Sequence, residues 1–197
     1  MLALVALSGC MTGPRPTLID RPRIDDPAIA AVLERLDRAD GARFTASYLI
    51  VTKYGGATTM ARVTQDGDRR STTVGTVRFI VDAVGSRTCD TVTGTCEDGI
   101  NDAATSDVQV THQFWYRAMA NRLRTDAERN IAPASPSTYE VAGRTATCVA
   151  VPVVGGQKSY CAFDTGVLAG YDGADLTIDV TEYSDEADPS LFAASGA

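Results

Sequence analysis

A single histidine, His112, serves all 197 residues, and that scarcity removes several chemistries at once. A typical zinc cluster or a metalloprotease pair needs a second imidazole. No Gly-x-Ser-x-Gly elbow exposes a nucleophile. Gly155-Gly156-Gln157-Lys158-Ser159 ends like a phosphate loop, but Gln157 stands where glycine is required and no leading glycine precedes it, so it reads as a hairpin turn. Basic residues are also short: 18 Lys and Arg face 25 Asp and Glu, for a net charge of −7. Such a surface repels phosphate backbones, and no Lys/Arg stripe is interleaved with aromatics, so nucleic acid is not a partner. The carboxylates Glu97, Asp98, Asp102 and Asp107 lack the regular spacing of a calcium loop and read as a solvated segment. His112 falls at the start of an expected helix, a poor place for an imidazolium, and is given a local or surface role. With no nucleophile or acid pair to name, the chain is read as a non-enzyme with no metal and no cofactor.

Long apolar runs are missing too. The N-terminal stretch Leu2–Leu7 is far too short to span a bilayer. It leads into Leu7-Ser8-Gly9-Cys10 and then into polar, proline-rich chain. This resembles a lipobox: a branched residue, two small residues that let an extended segment enter a peptidase cleft, and a cysteine whose thiol accepts the acyl chains. No positive stretch precedes the apolar run, so residues 1–9 are read as a lipoprotein signal peptide truncated at its start. Residues 10–26 become lipid anchor and tether, with Cys10 the lipidation site. The expected location is outside the cytoplasm, on a bacterial membrane, facing the periplasm or cell exterior.

Cysteine arithmetic points the same way. There are five: Cys10, Cys89, Cys96, Cys148 and Cys161. An odd count in an exported chain leaves one thiol over. Assigning Cys10 to lipid leaves two close pairs. Their midpoints fall at Val92/Thr93 and at Val154/Gly155, so a hairpin turning at each midpoint sets the two cysteines opposite one another. At a non-hydrogen-bonded site such residues are about 4.5 to 5.5 Å apart at Cα, which a disulfide bridges. Loop closure suggests roughly 2.5 and 3 kcal/mol for the two rings. Neither pair has the Cys-x-x-Cys spacing of redox or metal work.

What is present in ordinary amount is the material of one globular domain, 44% hydrophobic and 22% charged. Asp26 can cap a helix with Pro27 at its first position, and Ile29, Val32, Leu33 and Leu36 make one apolar stripe. Strands are expected near 43–54, 57–65, 69–75, 77–84 and 86–92, punctuated by Gly55-Gly56, Asp66-Gly67, Gly75, Gly85 and Gly94. Residues 97–110 read as loop or irregular helix, and a second helix is expected near His112–Arg129. Further strands are expected near 138–142, 144–153, 158–164, 166–171 and 174–183. Connections this short require antiparallel pairing. The result is an α+β domain over 27–183, one large antiparallel sheet with helices on one face, followed by a flexible acidic tail over 184–197.

Taken together, the lipobox at 7–10, the helix-then-hairpins order, Val141-Ala-Gly-Arg-Thr-Ala-Thr-Cys148, Tyr160-Cys161, Gly166-Val167-Leu168 and the tyrosine-ended last strand resemble the LolA-like half-barrel superfamily of envelope lipoproteins and lipoprotein carriers. That resemblance implies a strongly curved sheet whose concave face is closed by helices over an apolar cavity holding a lipid or other hydrophobic small molecule. Trp115 and Met119 would be the helix-side contacts, with Tyr48, Ile50, Phe79, Leu168 and Ile178 on the sheet side. In a closed sandwich the same residues are simply core. The alternative function is then an envelope sensor or interaction lipoprotein that contacts an envelope protein and has no ligand cavity.

Overall fold

The computed structural model describes residues 24–193. Asp26 opens the first helix, α1 (Pro27–Asp37): its carboxylate accepts from the amides of Ala28 and Ile29, and Pro27 occupies the first turn. Ile29, Val32, Leu33 and Leu36 are its buried stripe. Five strands then form a meander: β1 (Phe44–Thr52), β2 (Thr58–Asp66), β3 (Arg69–Val74), β4 (Val77–Asp82) and β5 (Gly85–Asp90). A three-residue strand, β6 (Cys96–Asp98), ends this half inside the segment expected as loop. A 3₁₀ stretch over Asp102–Val108 leads to α2 (Arg117–Ala127). Five more strands follow: β7 (Ser135–Val141), β8 (Arg144–Val153), β9 (Gly156–Ala162), β10 (Leu168–Asp172) and β11 (Leu176–Ser184).

All eleven strands belong to one antiparallel sheet in the order β6-β5-β4-β3-β2-β1-β11-β10-β9-β8-β7. The last strand therefore joins the two halves by pairing with the first, with Ile50 opposite Ile178 and Tyr48 opposite Val180. The sheet is open, with β6 and β7 as its edges. Along β1, Phe44, Ala46, Tyr48 and Ile50 face the helices, two residues apart as the pleat requires.

Three expectations need correction. The second helix starts at Arg117 rather than at His112. The five residues before it form turns closed by backbone bonds from Phe114 to Thr111 and from Tyr116 to Gln113, and their aromatic side chains pack into the core. The Trp115 carbonyl accepts from the Leu168 amide at 2.8 Å, a tertiary bond that a helical Trp115 could not make. The Cys96 side of its hairpin is strand, held by pairing with β5.

Finally, Ser184 to Ala193, expected as a flexible tail, runs across the back of the sheet. The Asp188 amide donates to the hydroxyls of Thr45 and Thr64, and Arg78 donates to the Ala193 carbonyl at 2.9 Å. Leu191 and Phe192 are buried there, with the Arg69 guanidinium over the Phe192 ring.

Gly166 shows how tightly α1 meets the sheet. Its φ is +89°, and a Cβ there would stand 2.4 Å from the Arg35 carbonyl oxygen. Only glycine fits both the conformation and the space.

Candidate functional site

The concave face is filled from both sides. Phe114, Trp115 and Tyr116 enter from the helix side, and Phe44 and Tyr48 from β1. Trp115 meets the edge of Phe44 at 5.0 Å between centroids and stacks on Tyr116 at 4.0 Å, while Tyr48 meets Phe114 edge-on at 5.1 Å. The Tyr48 hydroxyl, fully buried, donates to the Leu168 carbonyl at 3.0 Å. Burial raises the pKa of that phenol well above its usual range, and nearby Tyr183 adds to the shift. It therefore stays neutral and acts as a structural donor.

All seven residues named as ligand contacts lie in this interior. Tyr48, Ile50, Trp115, Leu168 and Ile178 are 0% exposed, Phe79 1% and Met119 3%. The structure joins Tyr48, Leu168 and Trp115 through hydrogen bonds and sets Ile50 beside Ile178. Phe79 is apart from them, three strands from β1, against the His112 ring at 5.8 Å. Two surface clefts, of about 490 Å³ around Arg144 and Asp164 and about 380 Å³ around Arg62 and Glu182, contain none of the seven.

His112 is tied down locally. Its Nδ1 lies 3.0 Å from the Asp102 carboxylate, which also accepts from the His112 amide at 2.7 Å. Asp102 thus leaves the acidic loop to fasten the turn before α2. Among the described residues no group of three or more His, Cys, Asp or Glu gathers as a metal set.

A polar network that the sequence reading did not identify holds α2 onto the sheet. Asp126 is buried, pairs with Lys158 Nζ at 2.6 Å and accepts from the Tyr160 hydroxyl. Next to it, Arg122 donates to both oxygens of Asp175 and to the Tyr171 hydroxyl at 2.7 Å. Burial works against the Arg122 charge, but its bonds to Tyr171 and Asp175 outweigh this and raise its pKa. Burial pushes the Asp175 carboxyl up, yet the Arg122 bond and charge win and hold it below the usual carboxylate range. Burial, reinforced by Asp126, drives Tyr160 far upward. One signal was available: Asp126 sits three residues after Leu123, on the apolar stripe of α2.

Both cysteine pairs are bonded. Cys89–Cys96 closes the β5–β6 hairpin and Cys148–Cys161 the β8–β9 hairpin, each with directly opposed partners and Cα atoms 4.0 Å apart. The second turn falls at Val154-Gly155, the midpoint of its pair. Cys10 lies outside the described residues. Among those residues no helix is long and apolar enough to cross a membrane.

An open, curved antiparallel sheet with helices packed on its concave face defines the half-barrel α+β class. No family model and no curated protein matches the chain. Similar solved structures include MucB in complex with MucA(peri), at 16% identity and a TM-score of 0.46, covering 84% of this chain and 58% of that one. The chain thus spans less than two thirds of the length of MucB. They also include a putative outer membrane lipoprotein-sorting protein domain from Vibrio parahaemolyticus, at 8% identity and a TM-score of 0.33, covering 79% of this chain and 91% of that one. A LolA superfamily protein from Nitrosomonas europaea is similar at 10% identity and a TM-score of 0.28, covering 81% and 94%.

Proposed function

We propose that this protein is an exported envelope lipoprotein, tethered by lipid on Cys10, that works by binding a protein partner rather than by carrying a lipid in its half-barrel. The observation that carries this reading is the filled concave face. The seven side chains that would line a ligand cavity are at most 3% exposed, and all of them but Phe79 pack in one core cluster of the protein. Admitting an acyl chain would require Phe114–Tyr116 and α2 to leave the sheet. That movement breaks the Asp126–Lys158 and Arg122–Asp175 pairs and the bond from the Leu168 amide to the Trp115 carbonyl together. Two disulfides support an oxidising compartment.

The sheet itself offers a docking edge. Among the described residues β7 pairs only with β8, and Ser135–Glu140 is exposed throughout. The two-residue turn Ala142-Gly143 closes on Val141 and Arg144, so Tyr139 and Ser137 bond inward to β8. Thr138 and Glu140 then turn their amides and carbonyls outward, where an extended partner segment can add as a twelfth strand. Pro136 shares the outward set and needs no donor there.

The test uses the full chain. A fluorescent fatty acid is expected to show no saturable binding, and a photo-cross-linking residue at Thr138 is expected to capture a protein in the envelope. One at Thr125, on the exposed face of α2, is expected not to. Stoichiometric fatty-acid binding, or lipid adducts alone at Thr138, would overturn the reading.

A further inference from the structure

Among the described residues seven large apolar side chains are well exposed, and three of them stand at one end of the sheet, with Val92 of the β5–β6 turn on the same side. Tyr54, 91% exposed, tips the β1–β2 turn, and Val154, 86% exposed, tips the β8–β9 turn. Ile131, 64% exposed, lies beside the latter, its amide donating to the Pro152 carbonyl at 3.0 Å. Their common height follows from the register. Ile50, Ile178, Tyr171, Tyr160 and Val149 are successive ladder partners, a row across the sheet. Tyr54 and Val154 lie four and five residues beyond that row on the same side. Four strand spacings separate the two tips, roughly 19 Å. Among the described residues only Val84, 95% exposed, is comparable at the opposite end.

Two further observations select what this rim meets. First, the N-terminal chain leaves the domain at the same end: Asp26 accepts from the Ala134 amide at 3.1 Å, and Ala134 directly precedes β7 at its rim end. Second, three ion pairs lie among the neighbouring turns, Lys53 with Asp172 at 2.6 Å, Arg122 with Asp175 at 2.7 Å and Lys158 with Asp126 at 2.6 Å, and the exposed Glu128 and Arg129 beside Ile131 are of opposite sign. Apolar tips among charges of balanced sign suit an interface without net charge, where aromatic and aliphatic side chains enter the headgroup layer.

We infer that the rim carrying Tyr54, Ile131 and Val154 rests on the bilayer to which the chain is tethered, so that the half-barrel stands on its hairpin tips with Val84 pointing away. The inference builds on the tether reading of Cys10, which alone leaves orientation open: the covalent span from Cys10 to Ile24 reaches at most about 48 Å.

The experiment separates the two. The full chain is coupled through the Cys10 thiol to a maleimide phospholipid in phosphatidylcholine vesicles, the other four cysteines being held in disulfides. It carries Val154→Trp or Val84→Trp in separate preparations. The native Trp115 is buried and gives a constant background. Phospholipids brominated high on the acyl chain are expected to quench the added tryptophan of Val154→Trp at least roughly threefold more than that of Val84→Trp, with little dependence on salt. Adding Tyr54→Ser and Ile131→Ser to Val154→Trp is expected to remove most of that difference. Equal quenching of the two tryptophans, or none of either, on vesicles shown by flotation to carry the protein, overturns the rim assignment. Acylation of Cys10 in cells is read separately, by fatty-acid labelling lost in Cys10→Ala, and its failure would leave the quenching result standing.

Discussion

Asp126, Lys158 and Tyr160 make a buried unit in which a carboxylate takes both a charged and a neutral donor, and Arg122, Tyr171 and Asp175 repeat the arrangement one strand further on. The second group sets a dependence on pH. Asp175 ionises more readily in the folded protein than in the unfolded chain, so its contribution is present above the usual carboxylate range and is lost as pH falls through its lowered value. Asp179 runs the other way. Burial and then the charge of Asp172 raise its carboxyl, so its cost at neutral pH is relieved as pH falls through the raised value. In urea unfolding at about pH 3 and pH 7, Asp175→Asn is expected to lose stability at neutral pH and to show a flatter acid limb than the parent. Asp179→Asn is expected to gain at neutral pH. The identities of these residues were plain in the sequence, but their partners were not. Arg122 and Asp175 are 53 positions apart, and nothing local says that the exposed-looking arginine of a helix will find a turn near the end of the chain.

At the scale of elements, periodicity and turn residues carried most of the structure. The stripe of α1, its Asp26-Pro27 start and ten of the eleven strands follow from local pattern, with ends displaced by at most three residues. The start of α2 did not follow, because Phe114-Trp115-Tyr116 has helical spacing to its neighbours yet is fixed by Phe44, Tyr48 and Leu168 from distant strands. The two disulfides sit in unlike elements and are expected to behave unlike. Cys148–Cys161 joins buried strands, so the double change to serine should lower global stability by about 3 kcal/mol in urea unfolding. Cys89–Cys96 holds a three-residue exposed edge strand. Its double change to serine should mainly speed amide exchange over 96–98, with a smaller shift of the urea midpoint.

For the whole molecule, the segment after β11 matters more than its composition suggests. Small and acidic residues dominate it, and only Leu191 and Phe192 supply apolar anchors, which is too weak a pattern to read as structure without the sheet beneath. Deleting residues 185–197 would cost nothing if they were a loose tail. Because Leu191 and Phe192 are buried and Arg78 bonds to Ala193, the deletion is expected to cost roughly 3 kcal/mol, seen as a lowered thermal midpoint. The candidate site was legible in part. The apolar residues of the concave face were identifiable from sequence, whereas their mutual closure depends on side-chain volumes meeting across the sheet.

The pairing of β1 with β11 also fixes a timetable. A chain delivered amino end first, from a ribosome or through a translocation pore, presents β1 long before its second neighbour exists. One flank of that strand must wait until Ser184 has emerged, while both cystine hairpins, closed over 7 and 13 positions, can be oxidised as soon as they appear. Maturation therefore ends with a single zippering event at the middle of the sheet, and a helper that shields nascent β1 during the interval would act at the stage most open to misassociation.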